Sequence, residues 1–145
     1  MPSRIRPAPR KKAPATDSLT LLGASRIVYP DSPEGARLES FPNRHPKRKY
    51  WVTFDCPEFT TLCPITGQPD FGHLTIRYVP GLRCVESKSL KLYLGAYRNH
   101  GTFHEAVVNR VLDDLLRAIR PRHAVVRGDF NRRGGIAIAV EAAYP

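Results

Sequence analysis

The chain has 145 residues, a formal net charge of +10 at pH 7, 14 prolines and three cysteines. This length suits one domain with a single hydrophobic core, and no apolar run approaches the ~18 residues of a membrane span. Charge without an apolar segment behind it argues against a secretory signal at the N-terminus. Three cysteines without a CxxC pair argue against a disulfide framework and a structural zinc site, so we expect a cytoplasmic protein with free thiols.

Most of the positive charge lies in residues 1–49, which hold eleven Lys and Arg against four Asp and Glu. Residues 1–18 combine four prolines with five basic residues and almost no large apolar side chains. We expect them to form a disordered basic leader, followed by a single domain over 19–145. A basic arm of this kind also leaves open the hypothesis of a small RNA-binding protein.

The first half of the domain predicts an extended arm and two strands. Four prolines interrupt residues 29–49, which therefore read as arm and loop. The aromatic and β-branched run 50–56 predicts a strand that ends at Pro57. Alternating apolar and polar residues predict a second strand over 73–79, closed by Pro80-Gly81.

The second half predicts two helices and two more strands. Leu90, Leu94 and Tyr97 recur at helical spacing, which predicts an amphipathic helix over 87–97. The next helix runs to about Arg120, and its start has capping-box spacing, with Thr102 as N-cap and Glu105 at N3. The remaining segments predict strands over 123–130 and 136–140, joined by a turn over 131–135.

The predicted order is therefore β-β-α-α-β-β, an α+β domain. Two hairpins that flank a helix pair imply a mostly antiparallel sheet with both helices on one face. Four strands leave the edges of such a sheet open. Association of subunits through these edges is the expected remedy.

The stretch Cys63-Pro64-Ile65-Thr66-Gly67-Gln68-Pro69-Asp70 predicts a stiff loop, because two prolines restrict the backbone. Such a loop can hold the Cys63 thiol and the Asp70 carboxyl group at a set separation. Nucleophilic catalysis with a nearby proton donor needs that arrangement. A turn between strands with an incidental cysteine is the structural alternative.

Three other segments combine groups that can bind or react, and each has a structural interpretation as well. Glu86-Ser87-Lys88-Ser89-Leu90-Lys91 places a carboxylate, hydroxyls and amines at the start of a helix, where Ser87 is also a suitable cap. His104-Glu105 opens the second helix, where Glu105 also fits the capping box. Arg132-Arg133-Gly134-Gly135 has the composition of an ordinary hairpin turn.

Taken together and in order, these segments are similar to a known family. The chain resembles the NADPH-dependent 7-cyano-7-deazaguanine reductases, nitrile reductases of queuosine biosynthesis in tRNA, in their short single-domain form. The resemblance covers roughly residues 19–140, and Glu86 to Tyr93 is its most specific part. The matching segments are Leu38-Glu39-Ser40-Phe41-Pro42-Asn43, Cys56-Pro57-Glu58-Phe59-Thr60, Leu62 to Phe71, Glu86 to Tyr93, Arg98-Asn99-His100-Gly101, Phe103-His104-Glu105 and Arg133-Gly134-Gly135.

The resemblance implies a tunnelling fold, whose subunits associate side by side into a barrel with active sites at subunit interfaces. It implies a homo-oligomer, either a pentamer or two pentamers stacked as a decamer. The implied cofactor is NADPH, with no metal, and neither a membrane nor direct contact with nucleic acid is expected. By resemblance Cys63 is the nucleophile that forms a thioimide with the nitrile, and Asp70 is the acid. The remaining roles are substrate binding by Val85, Glu86, Ser87, His104 and Glu105, and cofactor phosphate binding by Lys88 and Lys91.

Two other functions remain as alternatives. A non-reducing relative of the same fold adds ammonia to the nitrile and forms an amidine, and such relatives keep the cysteine and the aspartate but lack the segment Glu86 to Tyr93. The RNA-binding hypothesis belongs to a different class and depends only on the basic arm. Fold by itself does not decide between them.

Overall fold

A computed structural model describes residues 19–20 and 28–145. The predicted leader lies outside the described residues. A short 3-10 helix, Pro33–Gly35, precedes the regular elements. These are β1 (Ser40–Pro42), β2 (Val52–Leu62), β3 (Pro69–Val79), β4 (Arg83–Val85), α1 (Ser87–Gly95), α2 (His104–Ile119), β5 (His123–Arg133) and β6 (Ile136–Tyr144).

The four long strands form one antiparallel sheet in the order β2-β3-β5-β6, and both helices pack on one of its faces. The α+β class and the order of two strands, two helices and two strands are confirmed. Alternate residues of β3, among them Leu74 and Ile76, are fully buried. They pack against the apolar stripe of α2, from Val107 to Ile119. The hydrophobic core therefore lies between sheet and helices, as the period-2 and period-3.6 patterns predict.

The prediction that Pro57 ends the first strand is wrong. β2 continues to Leu62, with an irregularity in its pairing to β3 between Cys56 and Phe59. Because β2 is an edge strand and the proline lies at this bulge, the missing N–H removes no ladder hydrogen bond. β3 begins at Pro69, earlier than predicted, so Asp70 belongs to a strand and the loop after Cys63 is shorter than the sequence suggests.

The predicted capping box at the start of α2 is also wrong. The N-cap residue is Phe103, which makes no side-chain capping hydrogen bond. The Thr102 N–H instead donates to the Leu62 carbonyl at 3.1 Å, which fixes this residue beside the end of β2. The helix therefore begins two residues after Thr102, and Glu105 is not at N3.

Two short strands that the sequence did not reveal hold the start of α1. β1 pairs with β4 in a separate antiparallel sheet, with Ser40 opposite Val85. The Glu86 N–H donates to the Glu39 carbonyl at 2.9 Å, and the Glu39 N–H donates to Ser89 Oγ at 2.9 Å. The segment 38–42, predicted as loop, thus fixes where the first helix begins.

The remaining boundaries differ by a few residues. α1 ends at Gly95 and not Tyr97, while β5 and β6 are longer than predicted. Gly134 and Gly135 have φ of 56° and 79°, the left-handed geometry of a two-residue hairpin turn. Within the described part of the chain, no helix has the length and apolar character needed to cross a membrane.

Candidate active site

Cys63 lies in the hairpin turn between β2 and β3. The Cys63 N–H donates to the Gln68 carbonyl at 2.8 Å, and the Gly67 N–H donates to the Cys63 carbonyl at 2.9 Å. Gly67 has φ of 69°, a conformation that glycine adopts at little cost. Two backbone hydrogen bonds and this glycine close the turn and fix the position of the cysteine.

The turn also stabilises the thiolate form of Cys63. Hydrogen bonds from the Thr66 hydroxyl, then from the Thr66 and Ile65 N–H groups, lower the pKa of the Cys63 thiol, and the charge of Arg133 acts in the same direction. Partial burial opposes this effect. A thiol with a lowered pKa and access to solvent is the arrangement expected of a reactive cysteine.

Replacement of Thr66 by alanine should raise the pKa of Cys63, because it removes the largest of these hydrogen bonds. The thiolate fraction below that pKa then falls, so alkylation of Cys63 by iodoacetamide at pH 7 should slow several-fold and its midpoint should move to higher pH. Site-resolved peptide mass spectrometry over a pH series measures this. Thr66→Ser keeps the hydroxyl and should match the wild type, and equal profiles for Thr66→Ala and wild type would contradict this account.

Asp70 is 8 % exposed and faces the helix side of the sheet, where the side chains of Arg133 and His104 approach its carboxylate. Arg133 Nε lies 2.8 Å from Oδ1, and His104 Nε2 lies 3.5 Å from Oδ2. Arg133 also donates to the Pro69 carbonyl at 2.8 Å. The end of β5 and the start of α2 therefore meet at this carboxylate, which sits beside the Cys63 turn.

The ring of His104 stacks on the ring of Phe130, which itself lies against the backbone of the sheet. It lies parallel to the Phe130 ring, with centroids 3.9 Å apart and planes inclined by 5°. Phe130 in turn covers two strand glycines: a Cβ on Gly72 would lie 2.8 Å from its ring, and one on Gly128 would lie 2.7 Å away. Glycine at both positions leaves room for the phenyl ring, and the ring orients His104 towards Asp70.

The link between the two helices is attached to the Cys63 turn. The Leu62 N–H donates to the His100 carbonyl at 3.1 Å, which forms a bridge between Leu62 and Gly101. A Cβ on Gly101 would lie 3.3 Å from Pro64 Cα, so the two backbones are in close contact. This contact positions the start of α2, and with it His104 and Glu105, relative to Cys63.

Glu105 follows His104 in the first turn of α2 and is exposed. Among the described residues, no hydrogen bond or ion pair engages its carboxylate. It is therefore free to accept hydrogen bonds from a ligand beside His104.

The second group of predicted site residues lies at the start of α1. Glu86 is the N-cap, and its carboxylate accepts hydrogen bonds at 2.8 Å from the N–H groups of Lys88 and Ser89. The Glu86 side chain, and not that of Ser87, therefore caps α1. Val85 and Glu86 are buried, whereas Ser87 and Lys91 are exposed.

A groove of about 380 Å³ runs between α1 and the edge strand β2. Ser87, Lys91 and Arg98 contribute to its helix side, and the bulged part of β2 with Cys56 forms the opposite side. Neither Lys88 nor Lys91 has an ion-pair partner in residues 19–20 and 28–145. Free lysines three residues apart on one helix suit the phosphates of a nucleotide cofactor, so these residues fit the predicted cofactor.

Within one chain the two groups of residues lie toward opposite ends of α1. His100 is bonded beside Cys63, and the whole of α1 separates His100 from Ser87. At 1.5 Å of rise per residue this places Ser87 on the order of 15 Å from the Cys63 turn. No hydrogen bond or ion pair among the described residues connects the two groups.

Three residues of this site were not predicted as site residues: Thr66, Phe130 and Arg133. Arg133 was noticed only as part of a motif, and Thr66 only as part of the loop. The glycines Gly72 and Gly128, inside strands, were the available sign that a ring lies close to the backbone. No cluster of three or more His, Cys, Asp or Glu side chains in the described residues is arranged to hold a metal ion.

Comparison with known proteins identifies close relatives. A protein-family profile described as "QueF-like protein" matches residues 69–145. A protein of Bacteroides thetaiotaomicron named "NADPH-dependent 7-cyano-7-deazaguanine reductase" is 53% identical over 129 residues, which is 88% of this chain and 84% of the relative. Proteins of the same name from Porphyromonas gingivalis and Neisseria gonorrhoeae are 54% and 51% identical over 126 residues, which is 87% of this chain and 81% and 80% of theirs.

A solved structure shares the fold. The crystal structure of the archaeosine synthase QueF-Like in the apo form matches with a TM-score of 0.57 and 19% sequence identity. The match covers 66% of this chain and 91% of that one. At this identity the likeness supports the fold class alone.

Proposed function

The chain belongs to the QueF-like family of NADPH-dependent 7-cyano-7-deazaguanine reductases, and we propose that it reduces that nitrile to the 7-aminomethyl compound through a thioimide on Cys63. The observation that carries the mechanism is a thiol with a lowered pKa on a fixed turn beside the buried carboxylate of Asp70. Nitriles accept hydride poorly. A covalent adduct at carbon makes a better acceptor.

Cys63 and Asp70 perform the addition as a pair. The Cys63 sulfur bonds to the nitrile carbon, one π bond of the C≡N group breaks, and the nitrogen takes a proton from Asp70. That proton replaces the one lost from the thiol, so the step is a net addition of S–H across the nitrile. The stiff turn fixes the nucleophile, and Arg133 and His104 fix the carboxyl group from the other side.

NADPH supplies two hydrides per nitrile when bound, one to the thioimide and one to the imine that remains after Cys63 leaves. Lys88 and Lys91 would hold its phosphates at the start of α1. Arg98 lies along the same groove and extends the cationic surface. The residues of the chain bind the cofactor and orient it.

The guanine-like part of the substrate presents N–H groups that need acceptors. Glu105 is exposed and adjacent to His104, and its carboxylate has no partner in the described part of the chain, which suits a carboxylate that accepts two such hydrogen bonds. Val85, Glu86 and Ser87 form the second substrate-binding segment. Since both Glu86 oxygens already cap α1, a substrate contact there would use their remaining lone pairs.

The separation of the two groups supports sites shared between subunits. A base attached to Cys63 is too small to reach Ser87 across the length of α1 in the same subunit. Both edges of the sheet are long, β2 with eleven residues and β6 with nine, and Ile136 on β6 is 68 % exposed. Pairing of such edges would close a ring of subunits and place α1 of one subunit beside the Cys63 turn of another.

The stoichiometry of the reaction tests the proposed function. Protein incubated with 7-cyano-7-deazaguanine and NADPH should consume two NADPH for each nitrile and release the aminomethyl product. NADPH absorbance and product mass are measured in the same sample. An amidine product formed from ammonia without NADPH consumption would instead identify the non-reducing relative.

A further inference from the structure

Thr61 has a buried hydroxyl group to which the proposed function has so far given no role. Its side chain is 1 % exposed, and its Oγ1 has no hydrogen-bond partner among the described residues. A buried hydroxyl without a partner is destabilising, and such groups in native proteins are few. A valine of nearly the same shape would avoid the cost. We therefore expect the hydroxyl to make a hydrogen bond in another state of the protein, such as a step of the reaction.

The register of the sheet places Thr61 next to the site. Thr61 on β2 is directly opposite Asp70 on β3. Both side chains are buried on the helix-facing side, and directly opposed side chains have Cβ atoms about 4.5–5.5 Å apart. Rotation about one side-chain bond is enough to bring a hydroxyl into reach of its neighbour's carboxyl group.

Arg133, one of the two side chains at the Asp70 carboxyl group, suits only its ionised form. Arg133 approaches Oδ1 and His104 approaches Oδ2, and a guanidinium donates hydrogen bonds but never accepts one. In the proposed reaction Asp70 carries a proton and then gives it to the substrate nitrogen. A hydroxyl both donates and accepts, so it can serve the carboxylic acid and the carboxylate alike.

We propose that Thr61 is a positioning residue for Asp70, whose hydroxyl engages the carboxyl group in the step where Asp70 gains and loses its proton. In the resting protein the Thr61 hydroxyl makes no hydrogen bond to Asp70 or to any other described residue. During the addition step Thr61 keeps the carboxyl group directed at the nitrile nitrogen. This inference rests on the proposed function, since it assigns no step of its own.

The test compares Thr61→Val with Thr61→Ser in the full-length protein. Thr61→Val should slow formation of the Cys63 adduct by about tenfold, the effect of one hydrogen bond, and change the pH dependence of that rate. Its melting temperature should equal or exceed that of the wild type, because the lost hydroxyl has no hydrogen-bond partner among the residues that the structure describes. Thr61→Ser should restore the rate and the wild-type pH profile.

Rapid-quench mass spectrometry with the nitrile gives the rate, and thermal denaturation gives the stability. A Thr61→Val protein that forms the adduct at the wild-type rate would overturn the inference. Equal slowing of both variants would do the same, because Thr61→Ser keeps the hydroxyl and the effect would then come from altered packing. A wild-type protein that forms no adduct at all would instead refute the proposed function, so the two failures are distinguishable.

Discussion

Replacement of Cys63 by alanine should abolish covalent capture of the nitrile and lower turnover by about 10³-fold or more, because it removes the proposed nucleophile. The mass of the intact protein, incubated with 7-cyano-7-deazaguanine and no NADPH, measures the capture directly. Wild-type protein should gain the mass of one nitrile per subunit. Without the cofactor the adduct cannot be reduced and should accumulate.

Two further variants give this experiment its controls. Cys84→Ser replaces a buried thiol that lies 3.7 Å from the Tyr50 hydroxyl, outside the proposed site, and should form the adduct normally. Asp70→Asn keeps the nucleophile but removes the proton donor, so the adduct should form about 10²-fold more slowly. An adduct of normal yield on Cys63→Ala would refute the mechanism. An undiminished rate in Asp70→Asn would remove Asp70 from it.

Two inactive variants should restore activity to each other when their subunits share an oligomer. One variant is Cys63→Ala, and the other is Lys88→Ala/Lys91→Ala, assayed at an NADPH concentration where its own oligomer is inactive. If each site takes the cysteine from one subunit and the lysines from its neighbour, random mixing at equal amounts leaves about one quarter of the sites intact. Coexpressed subunits should therefore show about a quarter of the wild-type activity.

The alternative geometry gives a different number. If cysteine and lysines of one site belong to the same subunit, every subunit in the mixture carries a defect and activity stays at the background. The control is a mixture of the two proteins purified separately and assayed without subunit exchange, which should also stay at the background. Background activity in coexpressed oligomers of proven mixed composition would contradict the shared site.

Much of the fold could be predicted because its elements follow from local patterns. The apolar stripe of α2 recurs with a helical period, and β3 alternates between buried and more exposed residues as far as Tyr78. Patterns of this kind reflect which face of an element is buried. They identify the element well and its ends poorly.

The wrong predictions share one cause. Pro57 does not end β2, because the strand lies at the sheet edge and accommodates the proline in a bulge. Thr102 does not cap α2, because its backbone is bonded to Leu62, forty residues earlier. In both cases a contact between distant segments overrides a local preference whose strength is only about 1 kcal/mol.

The sequence by itself indicated the proposed chemistry: a thiol in a proline-restricted turn, a carboxyl group seven residues later and two lysines at a helix start, in the order of a known family. Only the tertiary structure decided which groups surround them. Sheet register puts Thr61 opposite Asp70, and the hairpin of β5 brings Arg133 to the same carboxylate from sixty-three residues away. The physical reason is that pKa values and proton transfer depend on distances of a few ångströms, which long-range packing sets.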